Sequence, residues 1–561
     1  MAEPGKASKA EAIKENSRQL YGEIRDEVEN DEAKFSGESA ALLKFHGTYQ
    51  QDDRDNRGKG GKDYMFMVRT RIPGGKLTAA QVLAELDLCE RYGNGTLRIT
   101  DRQGFQLHGV VKGDLEGAIR GINESKLTTL GACGDLNRNV MCCPAPYADS
   151  PVHREMQATA EALANHFKPQ TSAYYEIWLR DGDEREKVHE YTAVEEPIYG
   201  KAYLPRKFKM AIALPEDNCI DVYTHDLGLI AVVEDEAIAG YNVLVGGGMG
   251  MTPAKKHTFP AIARRMAYIA PGEVIAVAEA VVKVQRDFGR RDDRSLARLK
   301  YLIADWGLER FKAKVEEYYG QALAEPHAAD VTGVDDHLGW HEQGDGKLFL
   351  GLNVDNGRIK DEGNFRLKTA LREVLGKYGM DCRNTALQGL ILCDIEPSTR
   401  EEIEQTFRAH GVPLAEEISL TRRYAIACPA YPTCGLAVTE SERVMPAVLA
   451  DIEAELERQG LGGERVSIHM TGCPNGCARP YTPDVGLVGK SRGKYTLYLG
   501  GNAEGTRLAF LHADQVPQEE IASRLSPVLA AYRSGRENGE SFGDYCHRQG
   551  QAVLAELAVE E

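Results

Sequence analysis

The stretch Tyr64-Met-Phe-Met-Val-Arg-Thr-Arg-Ile72 decides the fold class. Alternation places Phe66, Val68 and Ile72 on one face of a strand and Arg69 and Arg71 on the other. Pro73-Gly-Gly75 ends the strand. Val82, Leu83, Leu86 and Leu88 then give a helix its apolar side, and a strand pair over 96–100 and 105–110 brackets Asp101-Arg-Gln-Gly104. Strand, helix, strand, strand is the order of an α+β sandwich. The pattern returns downstream, with a strand over 347–354, a turn at Asp355-Asn-Gly357, a helix over 367–378, and a segment from Cys382 to Cys393 that parallels 97–110. A second echo pairs Tyr241-Asn-Val-Leu-Val-Gly-Gly-Gly248 with Tyr495-Thr-Leu-Tyr-Leu-Gly-Gly-Asn502. Two echoes in the same order predict an internal duplication.

A chain of 561 residues has room for three or four domains. Its net charge of −17 argues against a general nucleic-acid binder, although a local basic pocket is compatible with it. No apolar run approaches the ~18 residues of a membrane helix, and the N-terminus lacks an apolar signal core. The expectation is a cytoplasmic protein with no membrane and no nucleic-acid partner. In that compartment the twelve cysteines stay reduced. Residues 1–40 read as an acidic, partly helical arm with little to bury. Residues 44–57, dense with hydrogen-bonding groups, read as a solvated loop running into Gly58-Lys-Gly-Gly-Lys62, with a function-bearing loop as the alternative. Strands are expected over 175–179, 206–214 and 229–233, and helices over 273–287 and 293–306, with Arg290-Arg-Asp-Asp-Arg294 as solvated helix ends.

Near the C-terminal end stand two cysteine pairs, Cys428-Pro-Ala-Tyr-Pro-Thr-Cys434 and Thr471-Gly-Cys473-Pro-Asn-Gly-Cys477. Pro446 and Gly460 bound a helix between them, with Val448, Leu449, Ile452 and Leu456 as its buried stripe. Four thiolates can hold an iron–sulfur cluster. Structural zinc prefers C-x2-4-C in both knuckles, and the first pair is too wide for that. The spacing favours a cluster, with a zinc-stabilised binding module as the alternative from another class.

Cations recur where solvent-facing charge is not obviously needed: Arg69, Arg71, Arg98, Arg102, Arg138, and Lys207 and Lys209 on one side of a single strand. Each alone reads as a surface cation, but together they could converge on a polyanion, because buried like charges need a neutralising partner. Gly246-Gly-Gly-Met-Gly250 is followed by Pro253 where a dinucleotide fingerprint needs a small residue, and 58–62 lacks the spacing of a P-loop. No flavin or nicotinamide site is visible, so electrons come from elsewhere. His46 and His108 could donate protons, though a lone histidine is more often structural.

The cysteine pairs, together with Leu204-Pro-Arg-Lys-Phe-Lys209, Asn137-Arg-Asn139, Phe45-His-Gly-Thr-Tyr-Gln-Gln51, the 98–109 block and Ser541-Phe-Gly-Asp-Tyr545, closely resemble the sirohaem-dependent assimilatory sulfite and nitrite reductases over nearly the whole chain. The resemblance implies an α+β fold of duplicated ferredoxin-like units in a pseudo-two-fold, three-domain architecture. It divides the chain into an arm and loop (1–62), a ferredoxin-like half (63–131) completed by a second (341–413), a sirohaem- and substrate-binding α/β domain (132–340), and a C-terminal domain binding cluster and sirohaem (414–561). It implies two cofactors, sirohaem and a [4Fe–4S] cluster. Cys428, Cys434, Cys473 and Cys477 would ligate the cluster, with Cys477 bridging to the sirohaem iron. Arg98 and Arg102 would hold sirohaem carboxylates, and Arg69, Arg138, Lys207 and Lys209 the oxyanion. The implied reaction is six-electron reduction of sulfite to sulfide in cysteine biosynthesis, with nitrite reduction as runner-up. The implied donor is an NADPH-dependent flavoprotein subunit or, as the alternative, ferredoxin, and the acidic charge favours the flavoprotein. Two departures from the family pattern, Asp101 and Gly435, remove no ligand.

Overall fold

The computed structural model describes residues 7–58, 61–170, 176–181, 184–190, 196–252 and 255–557. Tyr175 of the strand expected over 175–179, the middle of the 58–62 loop, and Pro253 lie outside the described residues.

The opening stretch forms the strand Asp63–Arg69, with Phe66 and Val68 fully buried. It lies between Thr48–Asp53 and Phe105–Val110, and Leu97–Ile99 follows in the same sheet. The helix Ala79–Arg91 starts at a reciprocal cap, in which Thr78 and Gln81 each satisfy the other's backbone N–H. It buries Val82 and Leu86 against that sheet. The second unit repeats this plan: Gly339–Glu342, Leu348–Leu352, Leu390–Ile395 and Cys382–Asn384 in one sheet, with the helix Leu367–Tyr378 behind. Both units share one hydrophobic core, in which Phe66, Leu86 and Leu107 join Leu350, Leu371 and Leu390.

Each sheet takes its fifth strand from the other unit. Lys76–Leu77 pairs antiparallel with Cys382–Asn384, placing Leu77 opposite Cys382. Reciprocally, Arg358–Ile359 pairs with Leu97–Ile99, placing Ile359 opposite Leu97. The turns leading into these short strands, Pro73–Gly75 and Asp355–Gly357, end on Gly75 and Gly357, both at φ +76°. A Cβ on Gly75 would fall 2.2 Å from the Asn384 carbonyl oxygen, and one on Gly357 2.1 Å from that of Ile99. Only glycine fits either place.

Two larger sheets obey the same symmetry. In one, Asn137–Cys142, Phe208–Ala213 and Leu227–Glu234 run parallel, followed by antiparallel Ala237–Val245 and Arg264–Ile269. In the other, Ala425–Ala427, Ile468–Thr471 and Val485–Ser491 run parallel, followed by antiparallel Lys494–Leu499 and Phe510–Pro517. The echo between 241–248 and 495–502 therefore falls on equivalent strands. Matching glutamines tie the ferredoxin-like units to these sheets. Gln103 accepts from the Cys142 N–H (3.3 Å) and donates to its carbonyl (2.9 Å), while Gln388 does the same for Ala427 (3.1 and 2.9 Å).

Three expectations change. The arm is not idle: Leu20 and Phe35 are buried, and Lys14 reaches the Leu204 carbonyl (2.7 Å) beside Glu11 (2.7 Å). The segment from Arg290 is only partly solvated, because Arg294 grips Asp135 through both terminal nitrogens (2.7 and 2.9 Å) and Arg291 takes the Tyr203 carbonyl (2.7 Å). Arg71 parts from Arg69, since the strand ends at Arg69 and the Arg71 guanidinium turns onto the Ala164 carbonyl (2.7 Å) in the last turn of the helix Pro151–His166. That carbonyl is one of those a helix end leaves unpaired.

Candidate active site

The cysteine loops sit at the C-terminal ends of two parallel strands, Ala425–Ala427 and Ile468–Thr471. Cys428 and Cys473 are buried, Cys434 is half-buried and Cys477 is exposed. The Gly472 N–H faces the Cys428 sulfur (3.4 Å), and the Asn475 side-chain amide faces that of Cys473 (3.3 Å). Such N–H···S contacts favour sulfur carrying negative charge. Burial and the neighbouring Cys477 push the Cys473 thiol up to about 11, and they raise those of Cys428 and Cys434 as well. Thiols raised in this way ionise together only beside a compensating metal charge. Among the described residues, the only His/Cys/Asp/Glu group that converges on a single-ion position lies elsewhere. The four thiols do not close on one such position.

Two segments with no expected role hold these loops. Arg54, from the stretch read as a solvated loop, donates to the carbonyls of Pro432 (3.0 Å), Ala437 (2.9 Å) and Cys434, with its guanidinium 4.0 Å from the Tyr431 ring centroid. The glycine loop packs on the second pair: the Met251 N–H donates to the Pro474 carbonyl (2.8 Å), and a Cβ on Gly250 would sit 3.1 Å from the Asn475 carbonyl. Lys300 ties that loop together through the carbonyls of Gly248 (2.9 Å) and Gly250 (2.8 Å). Gly-rich sequence serves close approach here, not nucleotide binding.

The cations sort into two groups. Lys207 and Lys209 flank Phe208 at the start of the strand Phe208–Ala213 and are half-buried, with no hydrogen-bond partner among the described residues. Burial, with Arg138, Lys209 and Arg298 around it, drives Lys207 far below an ordinary lysine, while the Cys477 sulfur acts in the opposite sense. Burial and Arg102 bring Lys209 to about 7. Arg102 contacts His225 (2.8 Å) and the Asn139 carbonyl, but its buried Nε has no partner. Arg138 turns one edge to the Gly134 carbonyl (3.3 Å), and Arg69 reaches the Cys133 sulfur (3.0 Å). Basic groups outnumber the acids among them, of which Asp101 and Asp226 act on Arg102.

Arg98 belongs to the second group. It is buried and held by Glu442 (3.0 Å) and the Ala427 carbonyl (2.7 Å), one residue before Cys428. Glu442 also binds Arg358, opposite Arg98 in the exchanged strand (2.6 Å). His46 falls to about 4 and His108 well below its usual value, each mainly through burial, so both are neutral at physiological pH. Sequence reasoning missed Arg479, just past Cys477. It is buried beside Asp221 (3.4 Å), donates to the Ala386 carbonyl (3.0 Å), and leaves its Nε unpaired.

Comparison with known proteins identifies this arrangement. The family described as the nitrite and sulphite reductase 4Fe-4S domain matches residues 133–323 and 421–561. The chain belongs to the nitrite and sulfite reductase family. The ferredoxin-like half domain of nitrite/sulfite reductases matches twice, at 57–125 and 341–410, one on each exchanged unit. Among relatives, the chain is 43% identical to a sulfite reductase [ferredoxin] of Synechococcus elongatus, covering 99% of this chain and 92% of that protein. It is 44% identical to a sulfite reductase [NADPH] hemoprotein beta-component of Geobacillus thermodenitrificans, covering 98% and 96%. The solved structure of the Mycobacterium tuberculosis NirA protein superposes with a TM-score of 0.79 at 25% identity, covering 97% of each chain. Relatives of this kind over nearly the full chain make it an oxidoreductase.

Proposed function

We propose that this chain is the sulfite-reducing haemoprotein of assimilatory sulfur metabolism. The observation that carries the reading is that the cysteine loops and the cation cluster share one electrostatic neighbourhood: the Cys477 sulfur, the one exposed thiol of the loops, acts on Lys207 from within range.

Cys428, Cys434, Cys473 and Cys477 hold the [4Fe–4S] cluster, and the N–H groups on Cys428 and Cys473 suit its sulfur ligands. The partnerless nitrogens of Arg102 and Arg479, with the unpaired lysines, suit a polycarboxylate such as sirohaem. Arg98, engaged entirely by protein groups, positions the strand before Cys428 instead of meeting a cofactor carboxylate directly. Bound there, sirohaem and the cluster would supply one-electron chemistry to the oxyanion, and Cys477 would be the residue that holds both.

Conversion of sulfite to sulfide takes six electrons and six protons and releases three waters. Arg69, Arg138, Lys207 and Lys209 concentrate the anion and polarise its S–O bonds. The lysines are the proton donors, because arginine stays protonated. Lys209, poised near neutrality, is suited to give up a proton at working pH. Presence of both lysines and both arginines favours sulfite over nitrite. The donor is a flavoprotein subunit or ferredoxin, since relatives of both kinds match. The acidic charge of −17 favours the flavoprotein. The division at 62/63, 131/132, 340/341 and 413/414 and a cytoplasmic location belong to the same proposal. Among the described residues no helix is long and apolar enough to cross a membrane.

Purified enzyme supplied with reduced viologen dye should release sulfide from sulfite faster than ammonia from nitrite. Cys477→Ser should abolish sulfite reduction and the spectral coupling of cluster to haem. Full activity in that variant would defeat the junction assignment, and a colourless protein the whole reading.

A further inference from the structure

The pseudo-two-fold relation has a counterpart for the cysteine loops. Cys142 pairs with Ile212 across parallel strands, as Ala427 pairs with Met470. Cys143 follows the first strand of its sheet as Cys428 follows the first strand of the other, and both enter a Pro-Ala segment. Cys219 lies seven residues beyond Ile212, and Cys477 seven beyond Met470. Two of the four cluster positions are therefore kept as cysteine in the opposite half. Pro215 stands where Cys473 stands, and Asp149 where Cys434 stands. A four-iron cluster would lack half its thiolates there.

New ligands replace them. The side chains of Cys143, Asp217, Cys219 and His337 bring four ligand atoms within 4.8 Å of one another, all buried. His337 Nε2 lies 3.0 Å from Asp217 Oδ2 and 3.4 Å from the Cys143 sulfur. Bonds of 2.0–2.3 Å in a tetrahedron give ligand–ligand edges of about 3.3–3.8 Å, so these atoms need only small shifts to surround one ion. The environment fixes them from outside. Asp217 Oδ1 accepts from the N–H groups of Cys219 (3.0 Å) and Asp335 (3.2 Å), leaving Oδ2 for the centre. His153, oriented by Ser150 Oγ (2.8 Å), hydrogen-bonds the Cys143 sulfur. His337 itself is held at φ +58°, an unusual conformation for a bulky residue, with its carbonyl so close to Gly351 that a Cβ there would come within 1.8 Å.

We propose that Cys143, Asp217, Cys219 and His337 bind one zinc ion, a closed structural site in the half of the molecule opposite the cluster. Mixed sulfur, nitrogen and oxygen ligands in a closed four-coordinate set select zinc over harder cations.

The test uses the intact holoenzyme from zinc-replete cells. Metal analysis after gel filtration with chelator should find about one zinc per chain in addition to cofactor iron. X-ray absorption at the zinc edge should show two sulfurs at about 2.3 Å and two lighter ligands at about 2.0 Å. Cys143→Ser/Cys219→Ser should lose the zinc, and single Asp217→Asn should weaken its retention against chelator at least tenfold. Zinc below a tenth per chain in the wild type would overturn the proposal. So would a Cys143–Cys219 disulfide in mass spectra, or an unchanged zinc content and absorption spectrum in the double variant. Because iron content and the visible spectrum report the cluster and haem separately, failure here is distinguishable from failure of the reductase reading.

Discussion

Arg54 is fastened to the carbonyl of Cys434 although 380 residues separate them in sequence. With its bonds to Pro432 and Ala437, it clamps the whole outer edge of the first cysteine loop. Hydrogen bonds from a charged donor contribute roughly 1.5–3 kcal/mol each, and the partial exposure of Arg54 places it at the lower end. Arg54→Ala should therefore loosen the loop by at least about 2 kcal/mol and raise the rate of cluster loss to chelator about tenfold or more, with Arg54→Lys in between because it keeps charge but not the fork. Bleaching followed at the cluster absorbance decides this. A wild-type rate in Arg54→Ala would remove the clamp from the account.

Gly75 and Gly357 make a paired prediction. Alanine at either, at φ +76°, adds a Cβ against a backbone oxygen of the strand that receives the exchanged one, Asn384 or Ile99. Each substitution should cost about 2 kcal/mol or more, and thermal unfolding of Gly75→Ala and Gly357→Ala should show comparable losses. A neutral result at one of them would mean that the exchanged strand there yields.

Lys209 gives the pH dependence. Its pKa of about 7 comes first from burial and then from Arg102. Its ammonium is present below that pH and absent above it, so sulfite binding through it should weaken as pH rises. The apparent KM for sulfite should increase roughly tenfold per unit between pH 7 and 9, and Lys209→Met should flatten that rise. The stability sign is the reverse of the usual lysine. The unfolded chain keeps this proton to about pH 10.4, so the group's contribution to stability increases as pH climbs through that window and is lost as pH falls through 7. Unfolding midpoints of wild type and Lys209→Met, compared at pH 7 and 9, check the second part.

Leu436 and Val438 are exposed beside Cys434, at 69% and 38%. An apolar patch on the edge of the cluster loop offers an electron donor a short approach. Leu436→Asp should cut turnover with a protein donor about tenfold while leaving dye-driven turnover unchanged. An equal loss in both assays would assign Leu436 to loop stability instead.

Period-two alternation made the ferredoxin-like strands readable, and the helix over 367–378 was readable to its ends. The exchanged strands Lys76–Leu77 and Arg358–Ile359 were not, because two residues carry no periodicity and their partners come from the other repeat. Arg54 sat among polar residues that read as solvated, and only tertiary folding lays them over the cysteine loop. Arg71 shares its parity with Arg69, but parity ceases to apply where the strand stops. The cysteine pairs were legible because each spacing is local, whereas Asp217 and His337 are brought together across 120 residues.

The exchanged strands also say what kind of object this chain is. Each ferredoxin-like unit lacks an edge that only the other can furnish, so cutting the chain between them yields fragments with an open sheet margin and half a core. The polypeptide is two interlocked subunits written as one. Fragments split between the repeats should aggregate alone and recover the fold when produced together, each completing the other as the arms of a swapped dimer would.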